Sequence, residues 1–222
     1  MARAAPIRRF PAQPLTENEL SALLKQCSVR APTGIRNRAL IAVMYRCGLR
    51  ISEALDLRVA DIDPDGGTVR VLHGKGNKAR TVGTDDGTVA MVQRWVDVRA
   101  KAGIPARVPT TVTAEGERVA TGKRPVAVLF CTLSGESMSN RYVRDMLKRI
   151  AAKAGLEKRV HPHGLRHSFA ASLIAEGVPV NTVSKALGHA NSSVTARYID
   201  HIAPADVIAM GRARQWNPEG KN

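Results

Sequence analysis

Residues 61–84 break the period of the chain around them. The stretch DIDPDGGTVRVLHGKGNKARTVGT carries turn residues at 64–67 and again at 74–77. Val69 and Val71, and later Arg80 and Val82, fall at alternate positions. Period-two alternation bounded by turn residues predicts a small antiparallel sheet of about three strands. Most of the remaining sequence reads at a helical period. The expected class is therefore α+β, mainly α-helical, with one small sheet near the front of the domain.

The helices announce themselves by their ends. In TENEL, Thr16 and Glu19 have capping-box spacing and open a helix running to about Cys27. PTGIRNRALIAVMYRCG places Ile35, Ala39, Val43 and Tyr45 at helical period, and Gly48 stops it. ISEALDL is a short helix with Ser52 as the expected N-cap. A helix is expected over about 85–102, then a loop or short hairpin over 104–125. VAVLF reads as a buried strand or its equivalent. From Ser139 onward the pattern is helical, with stops at Gly155 and Gly177. VNTVSKALGH and SSVTARYIDHI follow, and a last helix is expected near 204–214.

Charge narrows the partners. The chain has 34 Lys and Arg against 19 Asp and Glu, a net charge of +15. Such a surplus repels itself unless a polyanion shares the load, and nucleic acid is the commonest such partner. The basic residues are spread along the chain, which favours a folded cationic surface over a disordered arm. Aromatic residues are only 4%, so the core is expected to be aliphatic and Ala-rich. Cys27, Cys47 and Cys131 are far apart and odd in number, and read as buried thiols in a reducing cytoplasm. No apolar run approaches the ~20 residues of a membrane span.

Chemistry concentrates in HPHGLRHSFA, which holds three of the six histidines. His163 and Arg166 are three apart on a helix expected to start near Pro162, hence on one face. His167 could pair with His163 on a metal, but no HExxH arrangement or nearby carboxylate supports one, and Arg166 would repel the cation. Arginine beside histidine suits an anion, and in so basic a chain that anion is a phosphate. Other cations occupy special settings. Arg50 follows a glycine stop in CGLRISEAL. Lys75 lies between two glycines at the expected hairpin tip in GKGNKAR. His189 follows Gly188, and Tyr198 comes nine residues later.

Arg50 in GLRISE, Lys75 in GKGNKAR, His163 and Arg166 in HPHGLRHSFA, His189 in LGH, and Tyr198 together resemble the active-site set of the tyrosine recombinase/phage integrase family, in order and spacing, over roughly residues 35–202. The resemblance implies that family's catalytic-domain fold and a DNA strand transfer without cofactor or metal. Arg50 and Arg166 would hold the non-bridging phosphate oxygens. Tyr198 would be the nucleophile and form a 3′-phosphotyrosyl link. His163 would accept or orient its proton, Lys75 would protonate the departing 5′-oxygen, and His189 would donate to the phosphate. Glu53, one turn after Arg50, either steers it or is an exposed helix carboxylate. The implied partner is double-stranded DNA, held by a homo-oligomer, a tetramer on two duplexes, with accessory proteins and no membrane, at the nucleoid in the cytoplasm. Lys78 and Arg80 on the hairpin, with Arg141, Arg144 and Lys148 on the helix from Ser139, are the expected DNA contacts, spaced to suit phosphates.

The implied organisation is a basic arm over 1–14, a catalytic domain over 15–203, and a C-terminal helix or tail over 204–222 that docks on a neighbouring subunit or frays. Only about 33 residues precede GIRNRAL, too few for the N-terminal helical domain usual in the family. A short member resembling the fimbrial-type invertases and an excised catalytic portion both fit that count. Two other functions compete. A non-enzymatic regulator would use AASLIAEGVPVNTVSKALGHANSSVTARYI as a helix–turn–helix, but leaves Arg50, Lys75 and Tyr198 unexplained. A type IB topoisomerase-like enzyme would relax DNA by the same chemistry without strand exchange.

Overall fold

The computed structural model describes residues 13–72, 79–105, 110–112, 118–120 and 127–188. Helix α1 (Glu17–Lys25) begins at the capping box read from the sequence: Thr16 Oγ1 accepts from the Glu19 N–H, and Glu19 Oε2 accepts from the Thr16 N–H. Helix α2 (Pro32–Arg46) follows, with Pro32 in its first turn, where a missing N–H costs nothing. It is the central element, packed against α4 (Asp86–Lys101) and α6 (Pro162–Ala175). Ala39, Leu40, Ile41, Val43 and Met44 are fully or almost fully buried there, giving the aliphatic core that the low aromatic content predicts.

Gly48 turns the chain out of α2 at φ +59. Helix α3 (Ile51–Leu55) then starts with Arg50, not Ser52, at the N-cap position. The expected cap is corrected because the Glu53 carboxylate takes the Arg50 backbone N–H itself, at 2.8 Å.

The antiparallel sheet has the order β1 (Ile62–Asp63), β2 (Thr68–Val71), β3 (Arg80–Gly83). Val69 lies opposite Val82, and both are buried with Val71. In the segment expected as a loop or short hairpin, β4 (Thr110–Val112) pairs antiparallel with β5 (Arg118–Ala120). The described part of VAVLF is the strand-equivalent, buried but not laddered. The Leu129 N–H bonds to Leu57 O at 2.6 Å, Trp95 Nε1 and Arg99 Nη1 donate to Leu129 O, and Arg99 Nη1 also reaches Val128 O. Side chains do for these carbonyls what a neighbouring strand would do.

Helix α5 (Asn140–Lys153) buries Val143, Met146, Leu147 and Ile150 and exposes its cationic face. Helix α7 (Val180–Leu187) ends at Gly188 in the left-handed conformation, φ 64. The three cysteines are buried and free, and burial pushes the Cys47 thiol up to about 11. No helix among the described residues is long and apolar enough to cross a membrane. Residues 1–12 of the arm expected over 1–14, the segment SSVTARYIDHI and the helix expected near 204–214 lie outside the described residues.

Candidate active site

Three guanidiniums and one carboxylate form the centre. Glu53 is buried, its side chain 2% exposed. Its Oε1 accepts from Arg50 Nη1 at 2.6 Å and from Arg80 Nη1 at 3.0 Å. Its Oε2 accepts from the Arg50 backbone N–H and from Arg80 Nη2, each at 2.8 Å. Arg166 Nη1 lies 3.6 Å from the same oxygen. Burial alone would push this carboxyl up. The Arg80 hydrogen bonds, the Arg50 N–H and the Arg80 charge overcome that and hold it down at about 2. Of the two readings of Glu53 left open by the sequence, the structure selects the one in which it steers Arg50.

Arg166 is fixed by main chain. Its Nη1 donates to Gly48 O at 2.7 Å and its Nη2 to Leu187 O. The end of α2, the end of α7 and α6 thus meet on one side chain that is itself 2% exposed. Arg50 is more open, and it borders a cleft of about 450 Å³ with Arg144, Arg159, His161, His163 and Arg166. Among the described residues at this centre, the three guanidiniums of Arg50, Arg80 and Arg166 face the one carboxylate of Glu53, a local excess of positive charge beside the cleft. That excess suits an anion whose charge grows during reaction, such as a phosphoryl transition state.

His163 stands at the start of α6, on the cleft. Burial, then the charges of Arg166 and Arg50, lower its pKa below the ordinary histidine value, so it is neutral at pH 7 and can accept a proton. His161 caps α6: its Nδ1 accepts from the Gly164 N–H at 3.0 Å. In the neutral ring this puts the proton on Nε2. The His161 and His163 rings lie parallel, with centroids 6.4 Å apart. Among the described residues no group of three or more His, Cys, Asp or Glu could hold a metal ion.

Arg50, His163 and Arg166 therefore meet as the sequence predicts. Arg80 does not stand where a phosphate contact should. Its side chain is 10% exposed and turned inward. Besides its fork on Glu53, its Nε donates to Ala186 O at 2.8 Å. The physical reason is strand parity, since Arg80 and Val82 are two apart on β3 and share its inner face. Arg144 lines the cleft, Lys148 is exposed, and Arg141 is 91% exposed with Asp145 3.7 Å away. Lys75, Lys78, His189 and Tyr198 lie outside the described residues. Sequence reasoning missed Arg159, the capping role of His161, and the carbonyls of Gly48 and Leu187. Only the cap had a local signal, a polar residue directly before a proline-started helix.

A mainly helical domain with this sheet and this arginine cleft has the fold of a tyrosine-recombinase catalytic domain. It is similar to the XerA recombinase at a TM-score of 0.71 and 24% identity, over 92% of this chain and 66% of that one, a likeness of fold. The XerH recombinase, solved in a post-cleavage complex with a palindromic difH substrate, matches at 0.69 and 27% identity, over 91% and 53%. The phage integrase family model matches residues 13–203, and the chain belongs to that family. The tyrosine recombinase XerD of Ralstonia nicotianae is 34% identical over 189 residues, covering 85% of this chain and 56% of that protein. The tyrosine recombinase XerC of Lactobacillus leichmannii is 31% identical over 196 residues, covering 88% and 60%. The chain spans less than two thirds of the length of these curated relatives.

Proposed function

We propose that this chain cleaves and rejoins DNA in site-specific recombination, through a 3′-phosphotyrosine intermediate. The observation that carries this reading is the Glu53-held pair Arg50 and Arg166 facing a cleft beside a neutral His163. The Tyr198 phenol oxygen attacks the scissile phosphorus, and its proton passes to His163. The bond from phosphorus to the 5′-oxygen breaks, and Lys75 supplies the proton that makes a 5′-hydroxyl. Arg50 and Arg166 hold the non-bridging oxygens as charge builds on them, with His189 as a further donor. The phosphotyrosyl bond conserves the energy of the diester. A 5′-hydroxyl from another strand reverses the step without any energy-supplying cofactor.

The substrate is double-stranded DNA, gripped by Arg144 at the cleft and by Arg141 and Lys148 along α5, with Lys78 on the hairpin. A homotetramer on two duplexes, working at the nucleoid, completes the proposal. The XerH complex with its difH substrate, in a relative of the same fold, supports it.

Trapping tests it. The protein is mixed with nicked genomic DNA fragments, denatured in detergent, and covalent protein–DNA adducts are recovered. Wild type should yield adducts, and Tyr198→Phe none at nearly unchanged DNA affinity. Adducts from Tyr198→Phe would refute the nucleophile. Firm, salt-sensitive binding without adducts from either protein would favour a non-cleaving DNA binder.

A further inference from the structure

We infer that Arg80 is a positioning residue for strand cleavage, a clamp that sets Glu53 against Arg50 and Arg166 and ties β3 to the end of α7. This rests on the cleavage reading above. Arg80 reaches both Glu53 oxygens, at 3.0 and 2.8 Å, in the two-pronged geometry only a guanidinium offers. Its third nitrogen takes Ala186 O, while Arg166 takes Leu187 O next to it. Two cations thus hold the last carbonyls of α7, at the negative end of that helix. Gly188 closes over the clamp: a Cβ there would lie 3.1 Å from Arg80 Nη1. His189 is the next residue in the chain, and Lys75 lies shortly before the strand that carries Arg80 in the sequence. One side chain therefore links the element of Arg50, the strand after Lys75 and the helix before His189, without itself lining the cleft.

The charge balance gives the clamp a readable signature. Glu53 faces Arg50 from its own helix, Arg80 from β3 and Arg166 from α6. Arg80 is the partner that contributes most to keeping it ionised. Removing that fork leaves a buried carboxylate with fewer donors and lets Arg50 swing.

The test compares Arg80→Met and Arg80→Lys with the parent protein, the second keeping the charge and losing the fork. Single-turnover adduct formation per bound DNA should fall about 10²-fold in Arg80→Met, the scale of a small misplacement of reacting groups. Arg80→Lys should recover part of it. DNA affinity and its salt dependence should not move. In combination with Glu53→Gln, Arg80→Met should add little, because both break the same clamp. By carbon NMR of the Glu53 carboxyl, the titration midpoint should rise by about one pH unit or more in Arg80→Lys and further in Arg80→Met. If Arg80→Met does not fold, the lysine variant carries both readouts. A salt slope lowered by about one, with unchanged cleavage per complex, would make Arg80 a phosphate contact and overturn the clamp. A rate loss that adds in full to Glu53→Gln, or an unmoved Glu53 midpoint, would also overturn it. Should the parent protein form no adducts, the cleavage reading alone fails, and the titration still decides the clamp.

Discussion

Glu53 and His163 show opposite uses of one electrostatic environment. Arg80 and Arg50 hold the Glu53 carboxyl down at about 2, while burial first, then the charges of Arg166 and Arg50, keep protons off His163. A base that is neutral at pH 7 loses its function only when acid protonates it. Adduct formation should therefore be level near neutrality and fall as pH drops through a midpoint under about 6.5, the ordinary histidine value. Single-turnover cleavage measured between pH 4.5 and 8 checks this. His163→Asn should flatten that limb at a much lower rate, and a limb retained in the variant would assign the proton elsewhere. Part of this was legible beforehand. His163, Arg166 and Arg50 stand together because helical spacing and a glycine stop place them, and both signals are local. Arg80 was expected as a DNA contact, although its parity with Val82 on β3 already pointed inward. The partners of Arg166 were not legible at all, since a main-chain carbonyl has no letter of its own.

At the scale of elements, the turn after α2 bears more than its length suggests. Gly48 sits at φ +59, and a Cβ there would lie 2.2 Å from Phe169 Cδ1 on α6. Its carbonyl also receives Arg166. Gly48→Ala should thus cost about 2–4 kcal/mol, from left-handed strain and overpacking together. It should also slow cleavage by displacing the arginine. Denaturant unfolding beside single-turnover kinetics checks both. A neutral effect on stability would mean that the ring of Phe169 yields freely. Elements with local signals came through from the sequence: the capping box of α1, the sheet between its two turns, and α4 within a residue at each end. VAVLF did not resolve into strand or not-strand. An apolar run records burial, whereas what satisfies its carbonyls is decided by Trp95 and Arg99, some thirty residues away in the chain.

For the molecule as a whole, +15 overstates the charge that a duplex would meet. Arg36 and Arg99 are buried, and Arg80 nearly so. The cations left to meet DNA among the described residues include the outer face of α5 and the cleft rim. Replacing Arg141, Arg144 and Lys148 together with glutamine should lower the slope of log affinity against log salt by about three. Each phosphate contact contributes about 0.9. A titration series in salt measures it. An unchanged slope would move the DNA to another face. The helices themselves should be unaffected, since α5 is seated by Val143, Met146, Leu147 and Ile150.

The habit of holding guanidiniums by carbonyls reaches beyond the site. Arg166 rests on Gly48 and Leu187, Arg80 on Ala186, Arg36 on Cys131, and Arg99 on Val128 and Leu129. No codon change removes a carbonyl oxygen. Half of each such contact is thus shielded from point mutation, and selection acts only on the arginine and on whatever bends the backbone. Along diverging lineages only core packing would restrain the side chains of residues 186 and 187, whose carbonyls would continue to serve as partners whatever side chains stand there. Their importance would leave no trace of paired substitution. The inherited record of this catalytic centre would then show arginines and glycines kept for reasons that no other column of letters explains.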